Sequence, residues 1–212
     1  MIERIEEIPV SFPSGPLTLE GRMIRPTGAS LRSAAIICHP HPQYGGDMHN
    51  NVVVAVAREL AGYGLGVLRF NFRGVGTSQG SYEEGEGELE DVRGAIDFQT
   101  QAGDLEELYL VGYSFGALVG LQVAVTDERI RKWAGIAPPV GFYDLSFLEG
   151  CSRPKLLVAG DNDPFCPPDS LEKLFTRLSD PKSLSIIPEA DHFFFGNTED
   201  RVAQEVKAFL AL

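Results

Sequence analysis

The stretch Leu108–Val125 sets the narrowest limits on what this chain can fold into. It opens as a short apolar run, which reads as a buried strand. It then passes through Gly112-Tyr113-Ser114-Phe115-Gly116 and continues as small apolar residues suited to a packed helix. A strand that turns sharply into a helix tolerates little side-chain bulk at the turn, and Gly112 and Gly116 supply that. Such a turn lifts the Ser114 hydroxyl clear of the sheet edge. It also leaves backbone N–H groups free at the helix start, where the helix dipole favours negative charge. A tetrahedral oxyanion can be made and held there.

A second Gly-x-Ser-x-Gly match, Gly76-Thr77-Ser78-Gln79-Gly80, follows the apolar run Val67–Phe72. It leads into an acidic, glycine-rich stretch rather than an apolar helix, so context selects Ser114 and leaves Ser78 in a loop.

The rest of the chain alternates strands with helices. Residues 3–10 and 16–25 alternate apolar and polar around Pro13-Ser14-Gly15-Pro16, which predicts an antiparallel hairpin at a sheet edge. After Pro26-Thr27-Gly28, the continuous apolar run Ser33–Cys38 predicts a strand covered on both faces, ending in the loop His39-Pro-His-Pro-Gln-Tyr-Gly-Gly46. Helices are predicted over Asn51–Ala61 (capped by Asn50 or Asn51, stopped by Gly62), Glu88–Gln101 (ended by Gly103), Phe115–Val125, Ser170–Leu178 and Glu199–Leu210. Further strands are predicted over Val67–Phe72, Leu105–Val111, Lys132–Ala137, Lys155–Ala159 and Ser183–Ile187. Parallel strands need crossover helices, so the pattern implies one α/β domain over residues 1–212 with a doubly wound, mainly parallel sheet.

Composition narrows the function. A net charge of −12 argues against a nucleic-acid partner and an anionic membrane surface. The cysteines Cys38, Cys151 and Cys166 form neither a disulfide framework nor a zinc-ligand spacing, and free thiols suit a reducing cytoplasm. The N-terminus is charged where a signal peptide needs an apolar core, and no apolar run approaches the ~18 residues of a membrane span. A cytoplasmic protein is the expectation. Nothing in the pattern sets an oligomeric state.

Strand ends on the carboxyl side of such a sheet gather in one crevice. Ser114, Asp163 and His192 all follow predicted strands there. A serine needs a base to take its proton, and the base needs a third group to fix its tautomer. Asp161 and Asp144 compete with Asp163 for the third role; Asp161 also suits turn stabilisation. The chain order Ser, Asp, His matches one particular arrangement of this machinery.

With these residues in view, the chain resembles the α/β-hydrolase superfamily, specifically its small single-domain members related to dienelactone hydrolases and bacterial esterases. The resemblance spans Ile36 to Leu210. It rests on His39-Pro-His-Pro, Arg73-Gly-Val-Gly-Thr-Ser, Gly112-Tyr-Ser-Phe-Gly, Gly160-Asp-Asn-Asp-Pro and Asp191-His192. It implies an α/β-hydrolase fold with Ser114 as nucleophile, His192 as base and Asp163 as acid. Dienelactone hydrolase itself carries cysteine where this chain has Ser114. The oxyanion donors implied are the Phe115 N–H and one from the loop after Cys38; Pro40 and Pro42 have no N–H, which leaves His41.

The expected activity is hydrolysis of a small-molecule carboxylic ester, with no metal and no organic cofactor. Peptide hydrolysis, acyl transfer and a non-catalytic binding module on the same fold are the rival readings. Tyr44, Tyr113, Phe142, Phe165 and Phe193 are candidate pocket residues, with packing beneath the loops as the alternative. His39, His41 and His49 read as loop histidines rather than as a zinc site. The acidic run Glu83–Asp91 reads as a solvated helix start rather than a calcium loop. Only residues 139–154 separate two strands where many α/β-hydrolases insert a helical lid, so an open site without a cap domain is expected.

Overall fold

The alternating hairpin residues form β1 (Ile5–Ser14) and β2 (Leu17–Pro26), paired antiparallel with Ser14 opposite Leu17. The two-residue turn Gly15-Pro16 joins them, with Gly15 at φ +51°. The predicted turn began at Pro13, but Pro13 and Ser14 stay in the ladder. The Ser14 hydroxyl donates to the buried Asp91 carboxylate at 2.6 Å, which holds that strand end against a helix.

This is a computed structural model, and it describes residues 5–27, 31–101 and 105–211. Residues 3–4 of the first predicted strand, Gly28 and the helix stop Gly103 lie outside the described residues.

The apolar runs become β3 (Ser33–Cys38), β4 (Gly66–Phe70), β5 (Glu107–Tyr113), β6 (Ile130–Ile136), β7 (Lys155–Gly160) and β8 (Lys182–Ile187). The sheet order is β1-β2-β4-β3-β5-β6-β7-β8. The β1–β2 and β2–β4 pairs are antiparallel and every later pair is parallel. The helices are α1 (Asn51–Gly62), α2 (Glu86–Gln101), α3 (Phe115–Thr126), α4 (Pro168–Arg177) and α5 (Thr198–Leu210). Asn50 caps α1, its side chain accepting the Val52 N–H at 3.0 Å.

From β3 the chain crosses through α1 to β4 on one side. From β5 it crosses through α3 to β6 on the other. Right-handed crossovers in opposite directions put α1 and α3 on opposite faces. The order therefore reverses between β3 and β5, and their carboxyl ends at Cys38 and Tyr113 open the crevice where ligands bind in such sheets. No helical insertion interrupts residues 137–154; a single 3-10 turn, Ser146–Leu148, lies there. Among the described residues, no helix is long and apolar enough to cross a membrane.

Two expectations need correction. Strand β4 ends at Phe70 rather than Phe72: the Asn71 N–H still reaches the Glu20 carbonyl, but the two donors after it turn to side chains. The Phe72 N–H goes to His39 Nε2 at 3.1 Å and the Arg73 N–H to Asp91 at 2.9 Å. The acidic run is also not a solvated helix start throughout, since Glu88 and Asp91 are both fully buried. Glu88 accepts the Glu83 and Gly85 N–H groups, closing the loop back onto α2. Asp91 receives Nε and Nη2 of the buried Arg73. The charge run thus contains the two internal anchors of the 73–87 loop.

Removing one member of a buried ion pair leaves the other charge uncompensated. Asp91→Ala is predicted to lower unfolding free energy by roughly 3–5 kcal/mol in urea titration. Arg25→Ala, which breaks only the half-exposed pair with Glu6, should cost under about 1 kcal/mol. Equal losses would contradict this assignment.

Candidate active site

Ser114 stands between the last residue of β5 and the first of α3, with φ +54° and ψ −117°. A non-glycine residue in that region is strained and persists only where its surroundings over-determine it. The neighbouring glycines do so. A Cβ on Gly112 would meet Ala117 Cα at 2.5 Å, and one on Gly116 would meet the Cys38 carbonyl oxygen at 2.3 Å. The start of α3 therefore sits directly on the end of β3. The Ser114 N–H is fixed as well, donating to the Ile136 carbonyl at 2.9 Å.

His192 lies in the loop after β8. Its carbonyl accepts the Tyr113 hydroxyl at 2.7 Å, and the adjacent Asp191 carboxylate accepts the Phe193 and Phe194 N–H groups. The loop thereby presents the imidazole to the carboxyl end of β5. Ser114 Oγ lies 2.9 Å from His192 Nε2, and His192 Nδ1 lies 2.8 Å from Asp163 Oδ2. The other Asp163 oxygen accepts the Phe165 and Cys166 N–H groups at 2.8 Å each. The carboxylate that accepts those N–H donors can also accept the Nδ1–H hydrogen bond, and that tautomer leaves Nε2 to accept from the serine. All three side chains are buried.

The competing carboxylates are elsewhere. Asp161 is exposed and accepts from its neighbour Asn162, whereas Asp144 holds the 3-10 turn through Ser146. Ser78 is bound on both sides, donating to the Asn71 carbonyl and accepting the Glu20 N–H. The second Gly-x-Ser-x-Gly is thus a structural loop motif.

Among the described residues, neither the His41 N–H nor the Phe115 N–H hydrogen-bonds another protein group. Both residues line the cleft beside Ser114. The His41 imidazole is used locally, with Nδ1 accepting the Gln43 N–H at 3.2 Å and Nε2 3.3 Å from the Tyr82 hydroxyl. His39 is engaged at both nitrogens by Pro40 and Phe72, and His49 lies 3.2 Å from an Arg69 nitrogen. The three loop histidines point to separate partners.

All five aromatic candidates line the cleft, but not alike. Tyr113 is almost wholly buried and spends its hydroxyl on the His192 carbonyl; burial pushes its phenol up. Tyr44, Phe142, Phe165 and Phe193 are exposed at the rim. Sequence reasoning missed Tyr82 and Tyr143. Tyr143 had a signal in its neighbour Phe142, whereas Tyr82 reaches His41 only through the fold of the 73–87 loop.

A model of the alpha/beta hydrolase fold matches residues 36–149, more than half the chain. The chain belongs to the α/β-hydrolase family. A second model, of PhoPQ-activated pathogenicity-related protein, matches residues 120–212. Among relatives of this family member, RP471 of Rickettsia prowazekii is 38% identical over 191 residues, covering 86% of this chain and 80% of that protein. An alpha-beta serine hydrolase homologue from Coxiella burnetii superposes with a TM-score of 0.86 at 34% identity, covering 97% of each chain. XC6422 from Xanthomonas campestris, described as an a/b serine hydrolase without lid, superposes with a TM-score of 0.86 at 32% identity, covering 97% of this chain and 94% of that one. A hydrolase on this scaffold, without a cap domain, agrees with all of these.

The buried histidine just after β3, His39, carries a pH consequence. Burial lowers the His39 pKa from 6.5 to about 4, against the opposing pull of the Pro40 carbonyl and of Asp47 and Asp91. Its protonation would also displace the Phe72 N–H from Nε2. The folded value lies below the unfolded one, so the stabilisation is present above pH 6.5 and lost as pH falls through about 4. The loss amounts to about 3 kcal/mol. Histidine NMR of the folded protein should show His39 neutral down to about pH 4, and a folded-state titration near 6.5 would contradict it.

Proposed function

We propose that this protein cleaves carboxylic esters, with Ser114 as nucleophile, His192 as general base and then acid, and Asp163 as the carboxylate that orients the imidazole. The observation that carries the reading is the continuous chain of short contacts, 2.9 Å from Ser114 Oγ to His192 Nε2 and 2.8 Å from His192 Nδ1 to Asp163 Oδ2. It is supported by the strained serine backbone and by the two unbonded N–H groups that line the same cleft.

The steps follow from these positions. The Ser114 oxygen attacks the ester carbonyl carbon while its proton passes to His192 Nε2. The carbonyl oxygen becomes an oxyanion held by the His41 and Phe115 N–H groups, at the start of α3 where the helix dipole is positive. The bond to the alcohol oxygen breaks, and His192 returns its proton to that oxygen. Water, activated by the same imidazole, then attacks the acyl-serine; its proton passes through His192 to Ser114 and the acid leaves. Two adjacent turnovers of one base thus release both products, and the sequence draws on no metal or organic cofactor.

Ser114→Ala removes the attacking atom while deleting only one buried hydroxyl. Turnover of p-nitrophenyl acetate should fall by several orders of magnitude, with an unchanged circular dichroism spectrum. A folded Ser114→Ala protein that hydrolyses the ester at the parent rate contradicts the proposal.

A further inference from the structure

The cleft at Ser114 has a volume of about 670 Å³, and its lining includes no Lys, Arg, Asp or Glu among the described residues. That is unusual for a chain in which 23% of residues are charged. Of the two lining histidines, His41 has its pKa lowered by burial, and His192 is held at Nδ1 by Asp163.

One wall of this cleft is aromatic. The Phe165 ring centroid lies 4.7 Å from that of His192 and Phe193 lies 5.6 Å from it. Phe142 continues the wall, 5.7 Å from Phe165. These three rings are 39%, 48% and 66% exposed, respectively for Phe165, Phe193 and Phe142, so ordinary core packing does not account for them. They flank the imidazole, whereas the unbonded N–H groups of His41 and Phe115 belong to the β3 end and the α3 start.

The chemistry assigns this wall to one half of an ester. The carbonyl oxygen turns toward the N–H donors. The departing alcohol oxygen must come within hydrogen-bond reach of His192 Nε2 to take its proton. The substituent on that oxygen then extends past the imidazole, onto Phe165 and Phe193. We infer that the Phe142, Phe165 and Phe193 wall selects the alcohol portion of the substrate, favouring an uncharged aromatic group there. The inference rests on the roles proposed for Ser114 and His192. Ring-on-ring contact favours a flat apolar group. An ionised carboxylate would lose water without gaining a cation, which burial penalises.

A series with constant acyl group isolates the alcohol side. Benzyl acetate should exceed ethyl acetate at least tenfold in kcat/KM, the two alcohols having similar leaving ability. Acetate esters of 4-carboxybenzyl alcohol should fall at least tenfold below benzyl acetate. In Phe165→Ala and Phe193→Ala the benzyl-to-ethyl ratio should drop at least fivefold. A ratio taken on one preparation is independent of how much of it is folded. Ethyl and benzyl acetate cleaved equally by the parent, or a ratio unmoved in both variants, overturns the alcohol-side assignment while leaving esterase activity standing. Absence of any turnover that depends on Ser114, for every ester in the series, overturns the proposed function and this inference with it.

Discussion

The contact on which the rest depends is the seating of the α3 start against the end of β3. The Cβ position of Gly116 lies 2.3 Å from the Cys38 carbonyl oxygen and that of Gly112 lies 2.5 Å from Ala117 Cα, so no side chain fits at either place. That closeness forces the chain between them through φ +54° at Ser114 and turns its hydroxyl out of the sheet. It also sets the loop after β3 against the start of α3, where the His41 and Phe115 ring centroids lie 4.9 Å apart. The strained serine backbone and its outward hydroxyl follow from one steric arrangement, placed where the sheet order reverses.

Around this hinge, buried polar groups fix the loops that deliver the other residues. Asp163 joins Phe165 and Cys166 to His192, Tyr113 reaches back to the His192 carbonyl, and His39 ties the end of β3 to Phe72. Arg73 and Asp91 hold the loop that carries Tyr82 to His41. Asp163, Tyr113, His39, Arg73 and Asp91 are all buried, so each is costly to disturb and geometrically specific. The sheet is largely apolar, and the buried polar groups gather behind the crevice lining, in the loops at the strand ends. This division lets a small α/β chain keep a strained serine in place.

Much of this was legible in the sequence because it is local. Apolar runs such as Ser33–Cys38 specify buried strands by themselves, and glycines flanking a serine between a strand and a helix specify a hinge. The order Ser114, Asp163, His192 placed each residue after a strand, and parallel topology then gathers strand ends. What remained hidden was set by distant partners. Asp91 looked like a solvated acid because nothing near it in sequence announces Arg73 or Ser14 of the first hairpin, whereas Glu88 is buried by the turn that brings the nearby Glu83 and Gly85 N–H groups to it. Phe72 looked like strand because only the fold supplies the His39 nitrogen that takes its N–H. The division among aromatics was likewise invisible: Tyr113 is consumed by packing and by one hydrogen bond, whereas Phe165 and Phe193 reach the open cleft.

The central claim is that Ser114 is a nucleophile activated by His192. A fluorophosphonate, which phosphonylates activated serines, followed by mass spectrometry of the digested protein, tests it most directly. A single adduct on the peptide containing Ser114, forming at least a hundredfold more slowly in a His192→Gln variant, is the result predicted. An adduct on another serine, or Ser114 labelling that proceeds at the parent rate in that variant, would contradict the account.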